Sequence, residues 1–288
     1  MINKLLESKP AKLVFFLMND FEETDFPGTC TQMAFFLLLS FFPLLVFLIS
    51  FVGRFIETFE DYLFDILRTF LPELSYQYVT NLLESMTQYH NNSKYFLILL
   101  SLFFATFAVR AIMVGLNQTY AQQEARSHLK IWGLSFLFTI LLAIAVLFVL
   151  VAYFISVDLG EFILTSLGLS EYQASLIQMG AIFFSWTIAI LLLNFIFTKA
   201  PSQSLRFKSG FPGSIFAFLG LNIAFRIFTL FINHSSRYSS LYGNLGGLFA
   251  LLVALYFISI IINLGGKVNL YWSFYRKKEL KSLIWGKQ

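Results

Sequence analysis

Charge is the scarcest property of this 288-residue chain, because only 12% of its residues are Asp, Glu, Lys or Arg. An average soluble domain carries about twice that share. A single cysteine excludes a disulfide scaffold, and only 16 Gly and 6 Pro exclude a collagen-like fibre. A hydrophobic content of 58%, with 37 Phe, excludes a disordered chain. Too few charges remain to cover a soluble domain, so the chain is expected to be a membrane protein with several spans.

Six apolar stretches are long enough to cross a membrane, since about 20 apolar residues span roughly 30 Å of hydrocarbon. They cover about residues 33–53, 95–116, 131–155, 176–198, 211–233 and 245–265. Only a helix satisfies its own backbone groups in lipid, and the sequence has no alternating strand pattern of a barrel. We therefore predict an all-α polytopic membrane protein with six transmembrane helices. No linker or repeat divides it, so residues 1–288 form one domain.

The distribution of Lys and Arg predicts the orientation. Fourteen of the twenty lie in segments on one side of the predicted spans, two lie within spans, and four lie on the other side: Arg54, Arg68, Lys94 and Arg237. Both termini are therefore expected in the cytoplasm, in a multi-pass protein of the cell (plasma or inner) membrane. The apolar run at residues 13–18 is too short for a signal peptide, and we predict a short N-terminal interfacial helix there.

Two segments are expected outside the bilayer. Between Arg54 and Lys94, apolar residues at helical spacing on both sides of Pro72 predict two amphipathic extracytoplasmic helices. Ser156–Ser175 is predicted to be an acidic loop with Asp158, Glu161 and Glu171. The two amphipathic helices are expected to lie on the membrane surface or over the bundle. They either form a lid over a cavity or simply pack against neighbouring spans.

Two arginines, Arg110 and Arg226, interrupt predicted spans, where a charge is costly and usually faces the bundle interior. Polar residues share their helix faces: Thr106 and Asn117 with Arg110, Asn222 and Asn233 with Arg226, and Ser259, Asn263 and Lys267 on the sixth span. Converging stripes could line a path for an anionic amphiphile, because guanidinium groups bind phosphate and carboxylate as a planar fork. The candidate cargo path is Arg110, Asn117, Asn222, Arg226 and Asn263. The alternative is a structural role in which these side chains bond to other helices. Lys267 is expected to snorkel.

The sequence contains no recognisable set of catalytic residues. The three His and Cys30 have no metal-ligand spacing, and known hydrolase, zinc and P-loop motifs are missing from the sequence. No Asp or Glu lies in a predicted span, which disfavours a proton relay. We predict no enzyme activity, no cofactor, no metal and no nucleic-acid partner. The basic tail Arg276, Lys277, Lys278 and Lys281 is explained by topology and anionic lipid. Membrane lipids are the expected partners, with an anionic amphiphile as a candidate, and the oligomeric state stays open.

Several motifs resemble one known family. Gln32-Met33-Ala34-Phe35-Phe36 and Ser40-Phe41-Phe42-Pro43-Leu44-Leu45 resemble the A-Y-Y-x-L-L-S-L-F-P-L-L signature of the YihY/virulence factor BrkB family. Its L-N-x-x-Y…E-x-R, L-P-G-A, Y-G and L-G-A-E-L motifs have similar counterparts in Leu116–Tyr120 with Glu124 and Arg126, in Phe211–Gly213, in Tyr242–Gly243, and in Leu264–Val268. Phe35-Phe36 replaces the usual Tyr pair, and Gly266-Lys267 stands where Ala-Glu is common.

The resemblance implies a protein of the inner or plasma membrane with about six spans. Family members have been linked to virulence or envelope lipid export, and some have carried a ribonuclease label. Our first hypothesis is therefore a transporter or lipid-flippase-like protein for an anionic or amphiphilic envelope-related molecule. The alternative is a non-transporting scaffold that binds an envelope-assembly partner through Arg54–Lys94. An intramembrane enzyme is the third hypothesis.

Overall fold

The computed structural model describes residues 25–52, 68, 76, 77, 80, 81, 94–167, 171–234 and 244–277. All regular structure in these residues is helical. The six long helices are α1 Phe26–Val52, α2 Lys94–Thr119, α3 His128–Leu167, α4 Glu171–Lys199, α5 Phe211–His234 and α6 Asn244–Lys277. The predicted N-terminal helix lies outside the described residues. So does most of Arg54–Lys94, of which Tyr76 packs against a core of α1, α2 and α3.

All six helices are long and apolar enough to cross a membrane. Each contains a stretch of 18 to 25 residues with mean hydropathy between 1.5 and 2.5. This length matches the hydrocarbon thickness, and it confirms the prediction of an all-α fold with six potential spans. The protein is therefore a multi-pass membrane protein.

The helices form a bundle in which the starts of α1, α3 and α5 lie near the ends of α2, α4 and α6. We call this the basic end, since eight described Lys and Arg lie at it: Arg126, Lys130, Lys199, Arg206, Lys208, Lys267, Arg276 and Lys277. α1 packs mainly on α2, α3 on α4, and α5 on α6, while α6 also contacts α1. Phe197 of α4, Met113 and Leu116 of α2 and Met33 of α1 belong to one buried core that joins these pairs.

α1 begins at Phe26 rather than near Met33, because Asp25 caps it. Asp25 Oδ1 accepts a hydrogen bond from the Gly28 N–H at 3.1 Å, the usual arrangement of an acidic N-cap. The helix then continues through Pro43 to Val52. The length of the apolar run therefore predicts too short a helix, because the first turns of α1 are more polar than its centre.

The predicted loop Ser156–Ser175 is wrong. α3 extends to Leu167, and α4 begins at Glu171. Ser156–Leu167 is rich in residues that tolerate a helix and contains only one glycine, Gly160. Acidic residues set the limit of an apolar span, but they do not break a helix, so α3 continues beyond the length needed to cross the membrane.

α5 and α6 pack backbone to backbone near the basic end. A Cβ at Gly213 would meet the Gly265 carbonyl oxygen, and a Cβ at Gly265 would lie 2.7 Å from Phe197 Cζ and 2.9 Å from the Gly213 carbonyl oxygen. The Gly213 N–H also donates to Asn269 Oδ1 at 2.7 Å. Small residues allow this close approach, which replaces the hydrophobic driving force that lipid removes.

We expect Gly213→Ala to lower the stability of the protein, because the added methyl group forces α5 away from α6. Overpacking of this kind costs about 1–3 kcal/mol. Gly133→Ala on α3 is the matched control, since nothing lies within 4 Å of its added Cβ, and it should be neutral or stabilise by up to about 1 kcal/mol. Thermal unfolding of both variants in detergent measures the difference. Equal melting temperatures would contradict the packing described.

Candidate functional site

Arg110 lies at the edge of an open groove between α1 and α2. Its side chain is half-buried, and its guanidinium carbon lies 4.9 Å from the centroid of the Trp132 ring on α3. Phe103 stacks on Trp132, with the two ring centroids 5.2 Å apart, and Phe107 contacts Trp132 edge-on at 5.6 Å. A cation over an indole face is attracted by the ring quadrupole, so an aromatic cluster of α2 and α3 holds this arginine in place.

The groove beside Arg110 has a volume of about 330 Å³. Its lining comprises Thr29, Gln32, Met33 and Phe36 of α1, and Phe107, Arg110, Ala111, Val114, Gly115 and Gln118 of α2. Gln32, Val114 and Gln118 are exposed, so the groove opens to the outside of the bundle. At 1.5 Å per residue, Arg110 lies about 12 Å further from the basic end than Gln118. The groove therefore brings a cation and two amides to the apolar surface of the bundle.

The floor of the groove is thin. A Cβ at Gly115 would lie 3.1 Å from Met33 Sδ and 3.3 Å from Asn263 Oδ1. Asn263, on α6, is fully buried directly behind this floor. A larger residue at position 115 would require Met33 or Asn263 to shift by a few tenths of an ångström, so the glycine favours the close approach of α6 to the α1–α2 seam.

Asn117, the second predicted path residue, is buried and points into the loops at the basic end. Its Nδ2 donates to Glu124 Oε2 at 2.9 Å, and its Oδ1 accepts from the Ser202 N–H at 2.7 Å. It therefore joins the α2–α3 loop to the α4–α5 loop. Helical phase places Asn117 beside Arg110, but the end of α2 lets the asparagine turn inward to loop atoms.

Glu124 and Arg126 complete this junction. Arg126 Nη2 lies 2.7 Å from Glu124 Oε2, and it also donates to the Ala200 carbonyl oxygen at 3.0 Å. The hydrogen bonds from Arg126 lower the pKa of Glu124 from 4.5 to about 2, and Asn117 contributes in the same direction. Ala121, with a positive φ of 51°, makes the tight turn that directs the loop back.

Asn263 and Lys267 lie in a buried polar cluster, not on an open path. Asn263 Oδ1 accepts from Thr119 Oγ1 at 2.7 Å, and its Nδ2 donates to the Ser259 carbonyl oxygen at 2.8 Å. Lys267 is 1% exposed, and its Nζ lies 4.9 Å from the Phe26 ring centroid. The expectation that Lys267 snorkels is therefore wrong, because α1 begins early enough for Phe26 to cover it.

Asn222 and Arg226 lie elsewhere. Both are exposed on α5, and Asn222 Nδ2 donates to the Phe218 carbonyl oxygen of its own helix at 2.8 Å. Neither residue lines the Arg110 groove. Asn263 of the α6 stripe meets α2 at Thr119, which is not a residue of the predicted α2 stripe. Asn222 and Arg226 of the α5 stripe stay exposed, and the path through all five residues stays a prediction.

Sequence reasoning missed residues on both sides of the site. Gln32 and Gln118 line the groove, and Trp132 contacts Arg110 at its edge. Of these three residues, only Gln118 could have been found from the sequence, by its position two turns after Arg110. It also missed three buried polar side chains near the basic end. Among the described residues, no hydrogen-bond partner is found for the Tyr120 hydroxyl, the Asn194 amide or Asn269 Nδ2. Tyr120 lies beside Asn269 without hydrogen-bond geometry.

Asn117, Glu124 and Arg126, whose side chains form this junction, belong to the motif that the sequence shares with a known family. The profile of the family described as Virulence factor BrkB matches residues 17–283. The chain belongs to the BrkB family. In this BrkB protein, Asn117, Glu124 and Arg126 of the family motif thus form the junction of the α2–α3 and α4–α5 loops. Gly213 and Gly265 belong to the α5–α6 contact, and Gly266 faces Leu116 and Thr119 of α2.

One curated relative is the "Putative ribonuclease-like protein YfkH" of Bacillus subtilis (strain 168). It is 27% identical over 247 residues, which cover 83% of this chain and 86% of the relative. No solved structure matches the chain. Within the described part of this BrkB protein, no three His, Cys, Asp or Glu residues are placed to hold a metal ion.

We expect the junction to make stability depend on pH in a narrow acidic range. The pKa of Glu124 is lower in the folded protein, so its contribution is complete above about pH 4.5 and is lost as the pH falls towards 2. The melting temperature of the wild type should exceed that of Glu124→Gln at neutral pH, and the difference should shrink between pH 4.5 and 2. Lys130→Gln, which removes an exposed charge nearby, should show no such trend. A difference between wild type and Glu124→Gln that is constant across this range would contradict the role of the ion pair.

Proposed function

We propose that this BrkB protein binds an anionic, envelope-related amphiphile at Arg110 and moves it within the membrane, as a transporter or lipid-flippase-like protein. The observation that supports this function is the position of Arg110 on a groove of about 330 Å³ that opens among apolar side chains. A groove of this size lies in the usual range for small-ligand sites.

The cost of placing the charge of Arg110 within the membrane favours an anionic ligand. A charged side chain at the centre of a membrane helix costs about 2.5–3.5 kcal/mol on insertion scales. The contact with Trp132 recovers about 0.5–2 kcal/mol of this. An anion in the groove would supply the remaining compensation, because guanidinium bonds to phosphate or carboxylate are charge-assisted and bidentate. Gln32 and Gln118 offer further donors on the way in from the basic end.

The other four residues of the predicted cargo path do not have the same role as Arg110 in this proposal. Asn117 and Asn263 hold the bundle around the groove through the bonds described above. Asn222 and Arg226 would have to act on a separate face of α5. Arg110 is therefore the residue on which the proposed binding depends.

The proposed orientation places the basic end in the cytoplasm of a cell-membrane protein, by the excess of Lys and Arg at that end. The groove would then open towards the inner leaflet, and an anionic lipid of that leaflet would reach Gln118 first. The proposal contains no catalytic step, because the groove is lined by no His, Cys, Asp or Glu. The ribonuclease-like name belongs to the relative in Bacillus subtilis.

Arg110→Gln should abolish selective binding of anionic lipid. In nanodiscs that contain phosphatidylglycerol and phosphatidylcholine, the wild-type protein is expected to retain phosphatidylglycerol after detergent extraction. Mass spectrometry of the bound lipid should show a fall of about 10- to 100-fold for Arg110→Gln, since a hydrogen bond to a charged group contributes about 1.5–3 kcal/mol. Arg110→Lys should retain part of the binding.

Arg226→Gln is the matched control, because it removes an exposed arginine from another helix. It should leave lipid retention unchanged. A proteoliposome assay of fluorescent phosphatidylglycerol movement between leaflets then tests transport itself. Unchanged retention in a folded Arg110→Gln protein would refute the proposed binding, and binding without movement would refute transport.

A further inference from the structure

A second cavity continues the groove along the α1–α2 seam, away from the basic end. Its volume is about 340 Å³. The lining consists of Leu39, Pro43 and Val46 of α1 and Leu100, Ser101, Phe104 and Phe107 of α2. Phe107 lines both cavities, so they meet at this ring. Unlike the first cavity, the second has no charged residue in its lining and only one hydroxyl, that of Ser101.

The two cavities together match the thickness of a membrane. From Gln118 to Leu100, α2 rises about 27 Å, close to the roughly 30 Å of a hydrocarbon core. Arg110 divides this length, with about 12 Å to Gln118 and about 15 Å to Leu100. The latter distance equals the depth of one leaflet. The seam is therefore polar on the side of the basic end, cationic near its middle and apolar beyond.

We infer that the two cavities hold one amphiphile, with its anionic head at Arg110 and a long hydrocarbon chain that runs past Phe107 into the apolar cavity. This inference rests on the proposed function and specifies its substrate class, namely a long-chain anion. The head then lies deeper in the membrane than Gln118. A lipid that resides in that leaflet would instead keep its head at the level of Gln118. The bound state is thus an amphiphile that has been drawn inward, as movement across the membrane requires.

Phe107 determines whether one molecule can occupy both cavities. Its ring lies 5.7 Å from that of Phe103 and 6.0 Å from that of Phe104, centroid to centroid, and it also contacts Trp132. The same aromatic cluster that holds Arg110 therefore forms the wall past which the chain runs. One group of rings therefore determines both where the head binds and where the chain runs, so the protein sets the distance between the head site and the chain site.

The test uses alkyl phosphates with one head and different chain lengths, bound to the full-length protein in phosphatidylcholine nanodiscs. Leu39→Trp narrows the apolar cavity, and Phe35→Trp is its control, because both residues are 57% exposed on α1 and only Leu39 lines the cavity. Leu39→Trp should weaken binding of hexadecyl phosphate by about ten-fold or more, since methylene contacts are lost, and should leave octyl phosphate unchanged. Phe35→Trp should affect neither.

Arg110→Gln separates this inference from the proposed function. It should weaken binding of both phosphates, and an alkyl trimethylammonium of equal length should not bind the wild type. If Arg110→Gln weakens both phosphates but Leu39→Trp changes neither, the chain lies in bulk lipid and the inference is wrong, while the proposed function stands. If Arg110→Gln changes neither phosphate, the proposed function fails as well.

A photoreactive group at the end of the hexadecyl chain gives a second readout that does not depend on the stability of the variants. Crosslinks should map to Leu100, Phe104 or Pro43 of the apolar cavity. Crosslinks distributed equally over the exposed apolar residues of α4, such as Phe183 and Phe184, would overturn the inference.

Discussion

The structure depends on one constraint: a polar group inside an apolar bundle is costly unless it finds a partner within the protein. At the basic end, Arg126 meets it by bonding both Glu124 and the carbonyl group of Ala200, and Asn117 joins the same two loops. These bonds tie α2 and α3 to α4 and α5. Because lipid gives helices no hydrophobic reason to associate, such bonds and close backbone contacts carry much of the specificity of assembly.

Arg110 meets the same constraint only in part, and that makes it a candidate for function. Its charge is directed over an aromatic ring and remains at the edge of a groove, whereas Lys267 is enclosed by the bundle. Two cations within one apolar bundle thus have opposite environments. The enclosed one belongs to the architecture, and the accessible one can still gain energy from a ligand.

The sequence predicted the six helices that are long enough to cross a membrane and the all-α class, because span length and the cost of exposed backbone in lipid leave few alternatives. The predictions from the sequence failed where contacts between distant parts of the chain determine the environment of a side chain. Helical phase grouped Asn117 with Arg110, but the asparagine bonds to loop residues 202 and 124, which no spacing could indicate. The burial of Lys267 likewise depends on Phe26, which lies far away in sequence. Acidic residues after position 155 suggested a loop, although they only mark where an apolar stretch ends.

Gly115 makes the wall between the groove and the polar interior only one side chain thick. Met33 forms that wall, with its sulfur 3.4 Å from Asn263 Nδ2 on the inner side, and Asn263 accepts the hydroxyl hydrogen of Thr119. A thioether is the most compliant side chain for such a partition. Met33 therefore borders both the groove and Asn263, the side chain through which α6 is hydrogen-bonded to α2, so one flexible side chain separates the groove from the contact between α2 and α6.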